Sequence, residues 1–387
     1  MLKKLSMAMA LTIASTSSAT AKPDHAALDA LVKAGMAETG AKGIAIAYID
    51  HGKIVSVDSW GVRNAGGDPL TTDTVMYGAS LTKAVFGYFV MLLADDGRID
   101  LDRSIADYLP RPLPDYAGPA IENKYARWSD LAGDERWRKL TPRILLNHAS
   151  GFANFGFAEP DGKLRFHFDP GTRYSYSGDG LILLQFVLEQ GLGMDLGVEM
   201  KKRIFDKVGA TRTGMMWRPD FATNLADGWT IDGKVEPHDE RSKPRAAGSM
   251  DTTIADMARI AAAHVRGDGL RPAARADLVR PQLPITTRSQ FPNLQPDLPV
   301  ADRYPGLSAG IGVVTFQGPQ GPGFFKGGHN DSTGNTWVCV EAKQRCVVIL
   351  SNDVRAELLF PRLTKALLGD TGVPWAWEYG DQPWTRP

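Results

Sequence analysis

The chain has 387 residues, 43% of them hydrophobic, with 44 Lys+Arg against 44 Asp+Glu. That length and apolar content can build one large two-lobed domain or two ordinary ones. A zero formal net charge, with no basic tract, argues against nucleic acid or an anionic membrane as the main partner.

At the amino end, Lys3 and Lys4 precede an apolar run from Leu5 to about Ala14, and small residues end in Ala19-Thr20-Ala21. This is the layout of a secretory signal peptide over residues 1–21, cleaved after Ala21. The apolar run is too short to span a bilayer and no later stretch is long and uncharged enough. The expectation is therefore no membrane span, and a processed chain of residues 22–387 that is periplasmic or secreted.

The spacing of Leu28, Leu31, Val32 and Met36 predicts a helix over residues 27–38. The β-rich runs 43–49 and 53–57, around His51-Gly52, predict a hairpin. Next, Tyr77-Gly78-Ala79-Ser80-Leu81-Thr82-Lys83 opens an apolar helical stretch. Ser80 and Lys83 share a helix face, so the amine can reach the hydroxyl and take its proton. Alone, the same pattern more often marks a capping serine followed by a solvated lysine.

From about Leu101 to Gly248 the chain is predicted to be mostly helix and Pro/Gly-punctuated loop, with a helical run from Leu181 to Gln190 after Asp169-Pro170-Gly171-Thr172-Arg173-Tyr174-Ser175-Tyr176-Ser177-Gly178. Residues 281–304, rich in Pro, Gln and Asn, predict a long surface loop with the reach to border a site. Strands return from Gly306 to Leu350, before a last helix near 359–368. Strands at both ends with helices between them predict one sheet built from the two chain ends, with a helical insertion beside it.

Cys339 and Cys346 lie in the strand-like runs 336–340 and 346–350. If the turn centres between Ala342 and Lys343, they face each other across a hairpin, where a disulfide is geometrically possible in an oxidising compartment. Two buried thiols acting as small hydrophobes are the other reading.

Ser80-x-x-Lys83, the Tyr176 segment and Phe324-Phe325-Lys326-Gly327-Gly328-His329 stand in the order of a three-part signature: Ser-x-x-Lys, Tyr-x-Asn, Lys-Thr-Gly. Together they resemble the serine β-lactamase and penicillin-binding protein superfamily, in its class C branch. Leu145-Leu146-Asn147-His148-Ala149-Ser150-Gly151-Phe152, the segment from Ala246 to Arg259, and Gly97-Arg98-Ile99-Asp100-Leu101-Asp102 extend the resemblance from about Asp24 to about Gly369. It implies an α+β fold, β-lactamase/transpeptidase-like. In that fold an antiparallel sheet is flanked by helices, as one catalytic domain with an α/β lobe (about 22–100 and 249–387) and a mostly helical lobe (about 101–248). The site would lie at the seam of the lobes.

The resemblance also implies roles. Ser80 would be the acyl-accepting nucleophile and Lys83 its base, provided burial or a second cation, Lys326, lowers the lysine's pKa. Tyr176, six residues after Pro170, would be the second proton carrier in preference to Tyr174, and as a phenolate would be a rival base. Backbone N–H groups of Ser80 and His329 would form the oxyanion hole, and Gly327 and Gly328 would let substrate approach the strand edge.

Two departures bear on substrate. Gly178 stands where the pattern has asparagine, removing an amide, and Gly327 stands where it has threonine, removing a hydroxyl that would bind a β-lactam carboxylate. Asn330, Asp331 and Ser332, close behind the motif, are the candidates to substitute.

No Gly-x-Ser-x-Gly elbow anchors another hydrolase triad. The seven histidines and two cysteines show no metal-binding spacing, so neither metal nor cofactor is expected. Gly310-Ile311-Gly312 lacks the spacing of a dinucleotide loop. The sequence thus points to a secreted serine hydrolase acting on a small-molecule or peptide substrate through an acyl-enzyme. β-Lactamase or D-amino-acid-type amidase action leads, carboxylesterase is the alternative, and a non-turnover penicillin-binding sensor is the reading from another class. Oligomeric state stays open.

Overall fold

A computed structural model describes residues 24–380, so the expected signal peptide lies outside the described residues. Helix α1 (His25–Thr39) is capped by the Asp24 side chain and closed by Gly40 at φ 76°. It leads into a hairpin of β1 (Gly43–Asp50) and β2 (Lys53–Gly61). The other main strands come from the far end of the chain. They are β3 (Leu283–Pro284), β4 (Ser308–Ala309), β5 (Val314–Gly318), β6 (Gly321–Asn330), β7 (Thr333–Val340) and β8 (Arg345–Ser351). They form an eight-stranded sheet in the order β2-β1-β8-β7-β6-β5-β4-β3. Every pairing is antiparallel, so the first hairpin docks on the last strand.

Both faces of the sheet are covered, which is why its central strands are apolar without alternation. Ile44, Ile46, Val347 and Ile349 pack with Leu28 and Val32 of α1 and with Phe360 and Leu363 of α5 (Phe360–Leu368). Ala45, Ala47, Val348 and Leu350 point the other way, into the cluster that holds α2 (Leu81–Asp95) and α4 (Ile254–Arg266). Helix α2 is apolar around its circumference and buried from Leu81 to Met91, as a core helix must be. Glycines fix its position. A Cβ on Gly87 would meet the Ile311 carbonyl at 2.5 Å, and one on Gly312, at φ 72°, would meet the Lys83 carbonyl at 2.4 Å. The Gly310-Ile311-Gly312 segment therefore serves close packing against α2.

As expected, residues 101–248 are helix and Pro/Gly-punctuated loop: among the described residues short 3-10 and α turns joined by loops accompany α3 (Gly178–Leu192) and the helical run Leu196–Val208, which holds a π turn at Lys201–Phe205. Frequent Pro and Gly interrupt the other helical runs before they lengthen. Trp128, Trp137, Phe152 and Phe186 fill this lobe and belong to the same buried cluster as α2, so one continuous core joins the lobes.

The predicted last helix is α5, but a further one, α6 (Trp375–Tyr379), follows it. Five residues are too few for a periodicity to show. Cys339 and Cys346 are cross-strand partners on β7 and β8, 4.1 Å apart at Cα, and are joined by a disulfide. Among the described residues no single helix is long and apolar enough to cross a membrane.

Candidate active site

The turn into α2 holds Ser80 in place before any side chain acts on it. Ala79 takes a left-handed backbone at φ 46°, a conformation that alanine adopts only when its surroundings enforce it. Thr82 Oγ1 donates to the Ala79 carbonyl at 2.6 Å and accepts from the Met250 amide at 3.2 Å. The Gly78 amide donates to the Met250 carbonyl at 2.8 Å. Ser80 begins the helix without capping it, which leaves its hydroxyl free.

Two groups meet that hydroxyl. Lys83 Nζ lies 3.0 Å from Ser80 Oγ, and the Tyr176 hydroxyl donates to the same oxygen at 2.7 Å. Tyr174 is turned away, donating to Gln290 Oε1 at 3.2 Å. Lys83 also donates to the Ala247 carbonyl, on the segment before α4. A neutral amine can give one N–H there and still offer its lone pair to Ser80.

Electrostatics favour that neutral state. Burial pushes the Lys83 ammonium well below its ordinary pKa, and the nearby Lys326 cation pushes it further. Burial pushes the Tyr176 phenol up instead, so a standing phenolate is disfavoured and the tyrosine is a proton donor. Of the two candidate bases, Lys83 is the one whose burial favours its proton-free form. Lys83 Nζ and Lys326 Nζ lie 4.7 and 5.0 Å from the Tyr176 ring centroid, where they would stabilise a phenolate formed in passing.

Other contacts position Tyr176. The His148 ring stacks on it at 4.5 Å and 24°, while His148 Nδ1 accepts from the Ser177 amide at 3.0 Å. Burial, and then Lys83 and Lys326, hold this imidazole far below its ordinary pKa, so it is neutral. Asn293 Nδ2 donates to the Tyr176 carbonyl at 2.9 Å, and Phe291 meets its ring edge-on at 5.2 Å. Both come from the loop expected to border the site.

Lys326 is buried on β6, its Nζ donating to the Gly327 carbonyl at 2.7 Å. Gly328 is required by contact, since a Cβ there would lie 2.9 Å from the backbone nitrogens of both Ser80 and Leu81. The edge of β6 thus rests against the nucleophile turn. His329 stands at the rim with its side chain 39% exposed, and its Nδ1 is 3.5 Å from Glu357 Oε1.

The two departures are filled from elsewhere in the chain. A Cβ on Gly178 would meet Phe155 Cε1 at 2.3 Å and Asn154 Oδ1 at 3.2 Å. Asn154 accepts from the Gly178 amide at 2.9 Å and lines the cavity, so an amide does stand at this point. A Cβ on Gly327 would meet Glu378 Oε1, on α6, at 2.0 Å. Asn330, expected to substitute, does not: it lies outside the Ser80 cavity and accepts from the Ser332 amide at 3.1 Å. It shares the Lys326 face of β6 but stands at the strand's last position, beyond the cavity.

The cavity measures about 590 Å³, and Ser80, Lys83, Tyr176 and Lys326 share its wall with Phe155 and Phe157. Phe157 is 74% exposed and stacks on Phe155 at 5.1 Å, making an apolar lip. Asn154, Gln290 and Glu378 were missed from sequence. For Glu378 a signal existed: an acid inside the aromatic run Trp375-Ala376-Trp377-Glu378-Tyr379.

Residues 28–368 match the family described as "Beta-lactamase". "Penicillin-binding protein 4" of Amycolatopsis lactamdurans is 26% identical over 288 residues, covering 67% of this chain and 70% of its own. "Lovastatin esterase" of Penicillium rubens is 27% identical over 183 residues, covering 41% of this chain and 44% of its own. The octameric penicillin-binding protein homologue from Pyrococcus abyssi superposes with a TM-score of 0.69 at 18% identity, covering 90% of this chain and 78% of its own. The β-lactamase/transpeptidase-like fold is thereby shown.

Proposed function

The chain belongs to the β-lactamase family, a serine hydrolase of that fold, and from that premise we propose that it cleaves an amide or ester through an acyl-enzyme on Ser80. One observation carries the assignment: Ser80 Oγ is held between Lys83 Nζ at 3.0 Å and the Tyr176 hydroxyl at 2.7 Å. Neutral Lys83 takes the Ser80 proton as Oγ attacks the carbonyl carbon. The backbone N–H groups of Ser80 and His329 receive the oxyanion. As the tetrahedral intermediate collapses, the bond to the leaving nitrogen or oxygen breaks and Tyr176 protonates it. The Tyr176 phenolate then takes a proton from an incoming water as the water oxygen attacks the acyl carbon, the bond from Ser80 Oγ to that carbon breaks, and Ser80 recovers the proton held by Lys83.

We place this activity in the periplasm or outside the cell. Residues 1–21 carry the leader pattern, and the Cys339–Cys346 disulfide supports an oxidising compartment. N-terminal sequencing of the exported protein should begin at Lys22.

Labelling with a fluorophosphonate and a fluorescent penicillin, mapped by peptide mass, tests the acyl-enzyme. Label should map to Ser80, decay as the acyl group is hydrolysed, and vanish in both Ser80→Ala and Lys83→Ala, since members of one catalytic unit fail together. Retained labelling of Ser80→Ala would sink the assignment. A label that never decays would identify a non-turnover sensor instead.

A further inference from the structure

Glu378 is an acid placed where the three-part signature has a hydroxyl. It is buried, lines the Ser80 cavity, and comes from α6, remote in sequence from Gly327 whose missing side chain it replaces. The Gly327 amide and the Gln290 side chain donate to its carboxylate, and Tyr174 holds Gln290 from behind. This carboxylate is built into the wall, not a side chain folded in by chance.

Its neighbour is Lys326. An ionised Glu378 carboxylate offsets the charge of the Lys326 ammonium with which it interacts. A lysine alone would offer a net positive charge to a substrate carboxylate, but the pair offers none. The cavity's other cations keep their charge but are turned to partners outside the cavity lining. Arg241 Nη1 is 3.1 Å from Asp251 Oδ1, and Lys243 Nζ and an Arg245 nitrogen donate to the Asn123 carbonyl at 3.0 and 3.4 Å. The adjoining cavity of about 470 Å³ shares Phe291, His329 and Glu378 with the site, and it adds Glu357, Asp331 and Arg355, the last held by Asp353 Oδ2 at 2.6 Å.

Resting on the acyl-enzyme reading, we propose that Glu378 determines specificity, directing the site to esters and amides that carry no carboxylate beside the scissile bond. Neutral or amine-bearing esters and amides fit this wall. A cephalosporin, or a peptide with a free terminal carboxylate next to the cleaved bond, meets a second negative charge in a poorly hydrated space.

The test compares kcat/KM for two matched pairs, 3-acetoxybenzamide against 3-acetoxybenzoate and acetyl-D-alanyl-D-alaninamide against acetyl-D-alanyl-D-alanine. The wild-type enzyme should prefer the uncharged member by at least about tenfold, as one unscreened like charge imposes. Glu378→Gln keeps the volume and removes the charge, so the carboxylate-to-amide ratio should rise by about tenfold or more, while Glu378→Asp, which keeps the charge, should hold the wild-type ratio. An unchanged ratio in Glu378→Gln, with both members of a pair turned over, overturns the inference alone. If Glu378→Gln does not fold, the wild-type ratio decides, and a preference for the carboxylate member is fatal. Turnover by Ser80→Ala at the wild-type rate would overturn the acyl-enzyme reading instead, and this inference with it.

Discussion

Gly327→Thr rewrites Lys-Gly-Gly as the family's Lys-Thr-Gly, and it is expected to harm this protein. The new Cβ would sit 2.0 Å from Glu378 Oε1 and 2.9 Å from its Cδ, far inside the 3.4 Å at which ordinary contact begins. Glu378 is itself buried, 3% exposed, so its carboxylate has little room to swing away. Overpacking of this kind costs about 1–3 kcal/mol. Displacing the carboxylate from its two donors adds about 1.5–3 kcal/mol for each hydrogen bond lost to the charged group. The single substitution should therefore destabilise by roughly 3 kcal/mol or more, a large share of the ~5–15 kcal/mol typical of a domain. In a Glu378→Ala background the space is open and the cost should fall below about 1 kcal/mol, leaving a coupling of about 2 kcal/mol. Urea denaturation of the four proteins, followed by tryptophan fluorescence, measures the coupling directly. Equal costs in the two backgrounds, within about 0.5 kcal/mol, would refute the claim that Glu378 owns this space. The same geometry predicts that Gly327→Thr with Gly178→Asn does not raise cephalosporin hydrolysis, because Phe155 blocks a side chain on Gly178 as Glu378 blocks one on Gly327.

Tyr176→Phe should slow acyl turnover by about a hundredfold or more, since it deletes the proton donor 2.7 Å from Ser80 Oγ. Tyr174→Phe should be mild, because it costs the site only the hold on Gln290; stopped-flow hydrolysis of a p-nitrophenyl ester showing the reverse order would refute the assignment of the two tyrosines. Acylation should rise with pH while Lys83 loses its proton, and level off above that pKa, because only the neutral amine accepts the Ser80 proton. Lys326→Met removes a cation that lowers the Lys83 pKa, so the rising limb should move to higher pH. A limb that stays in place would show that Lys326 does not tune the base, and a Lys83 that NMR titration finds protonated throughout the active range would return the role to Tyr176.

The amino-acid order alone determined most of this architecture. Period-2 and period-3.6 patterns placed the first hairpin, the nucleophile helix and the late strands, because each of those elements buries a defined face in one core. Ser80, Lys83 and Tyr176 were legible through the resemblance of their segments to the family's signature, since spacing alone fits a capping serine and a solvated lysine, and the fold brings the three together. Lys326-Gly327-Gly328 was legible by type and register, since only glycine lets a strand edge approach the helix start so closely. The tertiary fold decided what fills the gaps those glycines leave. Asn154 and Glu378 reach the site from segments with no local pattern, one in a lobe of short turns and the other in a five-residue helix. Side chains that meet only after the chain ends have closed on each other leave no mark in local periodicity. The charge around Lys83 belongs to the same class, because burial and Lys326 lower its pKa only once the sheet and α2 are packed together.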